Sequence, residues 1–289
     1  MNVRLLLLPL FLAGPLLAQQ KVNRIIAIDS NASIRITNNA GTIRLIAWDK
    51  DSLAVIGSLA PGASLYFGGK GAFAKLGVER RDETQAGPGS IIEVRLPRAV
   101  RVFVRSISAG VEVSGLVGEL QCASVSGPIV VDAGLRLLVA ESMEGELSVA
   151  GEIKVARLNG GAGAVTLKNL SGDVMATTVG GGITATGIHT SRARLETVSG
   201  PISYDGTVGD HGTLEAVTHS GDVTLRLPAL LSAEFELQTF EGVIDVGLFL
   251  KGKAMKPVSG AKPYGFTTGS GGSQVTIRSF KGNIRVLRQ

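Results

Sequence analysis

Glycines recur through the second half of this chain at a nearly constant interval, each followed two and four residues later by apolar side chains. The series runs through Gly127, Gly145, Gly163, Gly181, Gly200, Gly221, Gly242 and Gly282, with spacings of 18, 18, 18, 19, 21, 21 and 40; the last is close to two periods of 20. A fixed period near 20 residues marks a stack of repeats, each unable to bury its apolar face without its neighbours. The pentapeptide VSGPI, at 125–129 and again at 198–202, is two teeth of this series four repeats apart.

The residues between the apolar pairs are Val130, Ser148, Thr166, Thr184, Ser203, Thr224 and Arg285. Apolar side chains two apart with such residues between them have the alternation of a strand that buries one face. A helical reading fails, because Thr, Val, Ile and Gly dominate and no run at three-and-four spacing is sustained. A second apolar segment falls between most glycine strands, as at 135–139, 153–155, 214–216 and 235–237. The chain is therefore expected to be all-β: a single β-solenoid, or β-helix, with coils of about 18–21 residues and right-handed winding, stacked at about 4.8 Å per coil. The glycines are expected at corners that need positive φ. Ser126, Ser199 and Ser220 would bond the turn's own backbone, and Pro128 and Pro201 would start strands where a missing N–H is tolerated.

Residues 1–18, MNVRLLLLPLFLAGPLLA, carry one charge at Arg4, an apolar run and a small residue at Ala18, the grammar of a cleaved signal peptide. The run is too short for a permanent span, so export to the periplasm, cell surface or exterior is expected, with no transmembrane span in the mature chain. Residues 19–104 read as N-terminal coils with an excursion at 59–90, and 105–289 as solenoid repeats with an excursion at 251–273. Trp48, the one tryptophan, is expected to close the N-terminal end of the core. Cys122, the one cysteine, alternates with Leu120 and reads as a small core residue; with no disulfide available, stability must come from packing.

The net charge of +5 hides an asymmetry. Residues 19–100 carry a net +4, residues 101–245 a net −8, and 246–289 hold eight basic residues and no acidic one. Lys251, Lys253, Lys256 and Lys262 are the candidate contacts to an anionic polymer, and docking of the basic end on another copy's acidic coils would give self-association.

Two "RLP" strands at 95–97 and 226–228, the SGD corner at 220–222, and the order of "GTIRLIAWDKDSLAV", "IEVRLPRAVRVFV" and "SGDVTLRLPALLSAEFELQTFEGVIDV" along the chain carry a resemblance. The chain resembles the bacterial putative-adhesin family of unknown function, itself similar to autotransporter adhesin heads, over about residues 24–289. The resemblance implies a β-solenoid in or outside the cell envelope and brings no catalytic residues with it.

Motifs for chemistry are sparse. A calcium-binding β-roll needs GGxGxDxUx, and the two glycine-rich stretches at 68–76 and 160–168 place Phe73 and Val165 where the aspartate belongs. Asp132, Asp173, Asp205, Asp222 and Asp245 recur singly near corners, which suits turns better than a converging acid–base pair. His189 and His211, 22 residues apart, would stack about one coil apart with Asp210 nearby. No catalytic residue, cofactor or metal is expected, and nucleic acid is not an expected partner. The function read from these features is an adhesin-like binding or scaffold module that meets an envelope or surface polymer or protein along an extended face; the alternative is a carbohydrate-active β-helix enzyme.

Overall fold

The computed structural model describes residues 20–80, 87–246 and 263–289. These are all-β: 22 strands join in one hydrogen-bonded sheet, with no helix among the described residues. Two long parallel ladders run through it. In the second of them, Ile129, Leu147, Val165, Ile183, Ile202 and Val223 are aligned in register on successive short strands. In the other, Val102, Leu120, Leu138, Ala156, Val174 and Ala193 are aligned in the same way. All twelve are buried. The alternation read from the sequence is the burial pattern itself: along Ile129–Asp132 and Val165–Lys168, inward apolar residues alternate with outward ones. Each of these ladder steps is one chain repeat, so 18 to 21 residues bring the backbone back to the same side one strand spacing further along.

The chain does not stack its repeats in the order in which it makes them. Ala233–Thr239 does not follow 213–218 in the ladder. The strand Ser273–Ser279 lies between them, with Val275 opposite Leu214 on one side and Phe235 on the other. In the second ladder Ile284–Arg288 likewise separates Val223–Leu227 from the short strand Ile244–Asp245. The expectation of one sequential stack from 105 to the C-terminus is thereby corrected: the 40-residue gap between Gly242 and Gly282 is not two periods but a reversal, and the last repeat is interior. Tyr264–Thr268 then closes this end by pairing antiparallel with Ala233–Thr239, where Phe235 stacks on Phe266 at 4.4 Å.

The eight lattice glycines also differ in cause from the expectation. None has positive φ. They form a column in which a Cβ on Gly145 would overlap Gly127 O, one on Gly163 would overlap Gly145 O, and so on through Gly181, Gly200, Gly221, Gly282 and Gly242. Glycine is required because the backbones of adjacent repeats touch there, not because the turn is left-handed.

The turn is held by a residue the serine reading missed. Ser126 and Ser199 donate to carbonyls of the preceding repeat, Ile107 and Val179. At six of the eight glycines the turn's own bond comes from a buried hydroxyl three residues earlier. The Ser124, Ser142, Thr197, Thr218, Thr239 and Ser279 hydroxyl oxygens accept the glycine N–H at 2.8–3.1 Å. Thr197 and Thr239 also donate across to Gly181 O and Gly282 O, at 3.1 and 2.9 Å. At Thr239 one hydroxyl thus satisfies a buried donor and a buried acceptor, which would otherwise each cost about 1–3 kcal/mol.

Most of segment 59–90 that is described is strand. Ala63–Arg80 pairs in parallel with residues 33–38, with Leu76 fully buried, and extends the first ladder by one strand. Ser52–Leu59 runs antiparallel to residues 20–27 and to Ser90–Pro97, so this end of the second ladder changes direction. Trp48 does not close the core. It is half-buried, its Nε1 donates to Ser52 O at 2.9 Å and Lys50 Nζ sits 5.1 Å from its ring centre, so it staples its own turn.

Candidate binding surface

The inner hydroxyl and the glycine frame a four-residue unit: SVSG, SMEG, TVGG, TVSG, THSG, TFEG and SFKG at 124, 142, 178, 197, 218, 239 and 279, preceded by SISA at 106. The first residue points inward and the fourth lies in the backbone contact. The second faces solvent, and backbone bonds between repeats stack these second positions into one column. It begins with Ile107, Val125 and Met143, passes Gly161, continues through Val179 and Val198, and ends in His219, Phe280 and Phe240. The seven aliphatic and phenylalanine side chains are 40–67% exposed, with Met143 the most exposed. At the far end the rings pack on one another: His219 stacks on Phe280 at 5.0 Å with nearly parallel planes, and Phe240 lies 5.2 Å from Phe280.

Nine teeth separated by eight steps of about 4.8 Å make a ridge of roughly 38 Å. Its accessible apolar area, on the order of 600 Å², is at the upper end of what a monomer leaves uncovered, and such patches mark interaction surfaces. Short residues flank it on one side, among them Ser126, Ala162, Gly180, Ser199 and Ser220. Glu144, Lys281 and Glu241 hold the same position beside Met143, Phe280 and Phe240. The valine of VSGPI is therefore a ridge tooth, its glycine a backbone contact, and its isoleucine a core residue.

The residues considered for chemistry are spread out. Asp173 pairs with Arg192 at 3.5 Å and accepts from Ser191 at 3.2 Å; Asp222 accepts from Asn283, and Asp205 from Gln289. His189 does not align with His211: its register partner is Thr207, whose hydroxyl lies 2.9 Å from Nδ1, and the ladder bulges before reaching His211. Among the described residues no three His, Cys, Asp or Glu side chains gather as metal ligands. Cys122 is buried, and burial pushes its thiol up to about 12. Tyr204 is the one tyrosine in the core; burial raises its phenol to about 12, and its hydroxyl donates to Thr207 O at 2.9 Å. A cleft of about 170 Å³ near Asn38, Ala60, Ser90 and Ser108 is below the size of an ordinary small-molecule pocket.

Lys251, Lys253, Lys256 and Lys262 lie outside the described residues. Of the remaining basic residues near the C-terminus, Arg278 meets Glu236 at 3.1 Å and Arg285 stands between Thr224 and Asp245 in register. Intercalation has placed the basic last repeat against the acidic one. Other exposed charges bridge repeats, as Glu119 does between Arg101 and Arg136, at 2.7 and 3.0 Å; exposed pairs of this kind contribute little to stability.

Parallel ladders, a close glycine column and an outer apolar ridge define a class of all-β protein built from repeats. The chain belongs to the Toastrack DUF4097 family, whose model matches residues 90–287, in agreement with the resemblance read from the RLP strands and the SGD corner. No curated protein matches it. Among solved structures it is similar to a putative lipid binding protein from Parabacteroides distasonis, with a TM-score of 0.53 and 12% identity over 92% of this chain and 96% of that one. It also matches putative adhesins from Bacteroides fragilis (TM-score 0.40, 11% identity, 93% and 98% covered) and Parabacteroides merdae (0.40, 12%, 93% and 96%).

Proposed function

We propose that this protein is an exported, non-catalytic β-solenoid that acts as an adhesin-like binding or scaffold module of the cell envelope. In this reading residues 1–18 direct export and are removed, 19–104 form the N-terminal coils, and 105–289 form the repeats that present the binding face. The observation that carries it is the apolar ridge. One uncovered apolar side chain per repeat, in a position that the fold does not need filled, costs solubility unless a partner covers it. Stacked repeats build extended surfaces rather than deep pockets, and the Parabacteroides lipid binding protein, described as putative, shares the fold. An envelope polymer, lipid or protein is the expected ligand.

The test is retention of isolated envelope material on immobilised chain. Retention that is lost when Val198 and Phe280 are replaced by serine supports the reading. Release of oligosaccharides from an envelope polysaccharide by the purified chain would overturn it in favour of a carbohydrate-active enzyme.

A further inference from the structure

Resting on the reading of the ridge as the binding surface, the geometry points to a second copy of this chain as one occupant: we infer an antiparallel two-fold dimer in which Met143 of each copy seats at the Gly161 gap of the other. The spacing argues for a partner built in the same way. A column with one side chain every 4.8 Å or so stays in step only with another such column, whereas the turns of an α-helix, about 5.4 Å apart, fall a whole tooth out of step over eight intervals.

The ridge is also self-complementary. Met143, the longest and most exposed tooth, is followed at once by Gly161, the one tooth with no side chain. A two-fold axis across the ridge between these two levels places each knob in the other copy's gap, the isologous arrangement that closes at two subunits. The same register sets Val125 against Val179 and Ile107 against Val198 of the second copy. It keeps like flanks together, so Arg105, beside the Ile107 tooth, faces Glu196, beside the Val198 tooth. A parallel pairing would instead bring Glu141 toward Glu144, two like charges flanking Met143. With the short flanking side chains included, the two copies would cover on the order of 1,200 Å², the lower bound of specific, stable interfaces. His219, Phe280 and Phe240 lie beyond the overlap, leaving an aromatic end free at each pole of the dimer for an envelope ligand.

Sedimentation velocity and cysteine pairing test this on the purified chain. The parent is expected to sediment as a dimer at tens of micromolar. Met143→Glu is expected to weaken association by at least about tenfold, and Met143→Leu to preserve it, with thermal unfolding unchanged in both at a dilution where the parent is monomeric and Met143 is exposed. Val125→Cys and Val179→Cys are expected to cross-link when the two variants are mixed and not when either is alone; buried Cys122 stays silent. Cross-linking within either single variant would overturn the register. A parent monomeric at about 100 µM would overturn the dimer, as would a monomer that co-sediments with phosphatidylcholine vesicles in a Met143-dependent way, which would assign the ridge to a lipid surface. Envelope retention without dimerisation sinks only this inference, and dimerisation without envelope retention sinks only the functional reading.

Discussion

Gly282 lies directly against Gly221, 61 residues before it in the chain, so that a Cβ on Gly282 would overlap the Gly221 carbonyl, while Gly242 rests on Gly282 from the other side. The C-terminal repeat is thus a middle layer. In an ordinary stacked-repeat protein, removal of the last repeat leaves the others standing. Here a stop after residue 262 removes both partners of the Ala233–Thr239 strand and leaves that strand with no neighbour in the sheet. The truncated chain is expected to lose its cooperative unfolding transition, whereas one ending at 230, which removes the intercalated pair together, retains it. Calorimetry of the two chains decides the matter.

The glycine column makes a paired prediction on adjacent residues. Gly181→Ala drives a methyl into Gly163 O and is expected to cost roughly 2–3 kcal/mol, in the range of overpacked sites. A Cβ on Gly180 meets nothing closer than Ala162 Cα at 3.7 Å, so Gly180→Ala is expected to be neutral or slightly stabilising through the unfolded chain. Equal melting temperatures for the two variants would refute backbone contact as the reason for the lattice.

Thr197 tests the hydroxyl column. Thr197→Val keeps the shape but strands the Gly200 N–H, while the Gly181 carbonyl keeps its second donor, Thr178, and the loss should cost about 1–3 kcal/mol. Thr197→Ser, the residue used at 124, 142 and 279, is expected to recover most of that loss in denaturant unfolding.

Register is tested at Val165 and Thr166. Val165 is fully buried among the aligned strands, and Val165→Asp places an unpaired carboxylate in a dry core and is expected to prevent folding. Thr166→Asp, one residue on and facing out, is expected to change stability by less than about 0.5 kcal/mol. Circular dichroism and solubility of the two variants provide the comparison.

Two buried acids set the alkaline limit. Cys122 rises from an ordinary 9.0, and Tyr204 from 10.0, to about 12 in the fold. Each keeps its proton in the folded state where the unfolded chain releases it, so the stability they confer is complete below pH 9 and falls as pH rises from about 9 to 12. The double variant Cys122→Ala, Tyr204→Phe is expected to flatten that fall in chemical unfolding measured at pH 8, 9.5 and 11. A thiol reagent at pH 8 should leave native Cys122 unmodified.

What the sequence determined alone was periodic and local. Inward and outward positions, the short parallel strands and the places where glycine is obligatory all follow from period-2 alternation within a period near 20, because each repeat must present the same face to the next. The four-residue unit of hydroxyl, ridge residue, spacer and glycine was legible too, in SVSG, TVSG and SFKG, although its inward hydroxyl is easily passed over in favour of the serine beside the glycine. Tertiary structure alone decided the order of stacking. Spacing records that Gly242 and Gly282 are equivalent teeth, but not that the chain doubles back to place one beneath the other, since any tooth fits any other. It also decided why the glycines are needed, since a turn that demands positive φ and a backbone that must touch its neighbour leave the same letter in the sequence. And it turned Ile107, Val125, Met143, Val179 and Val198, single apolar residues at intervals of 18, 18, 36 and 19, into one surface, because only stacking brings residues of equal phase in successive repeats to within about 4.8 Å.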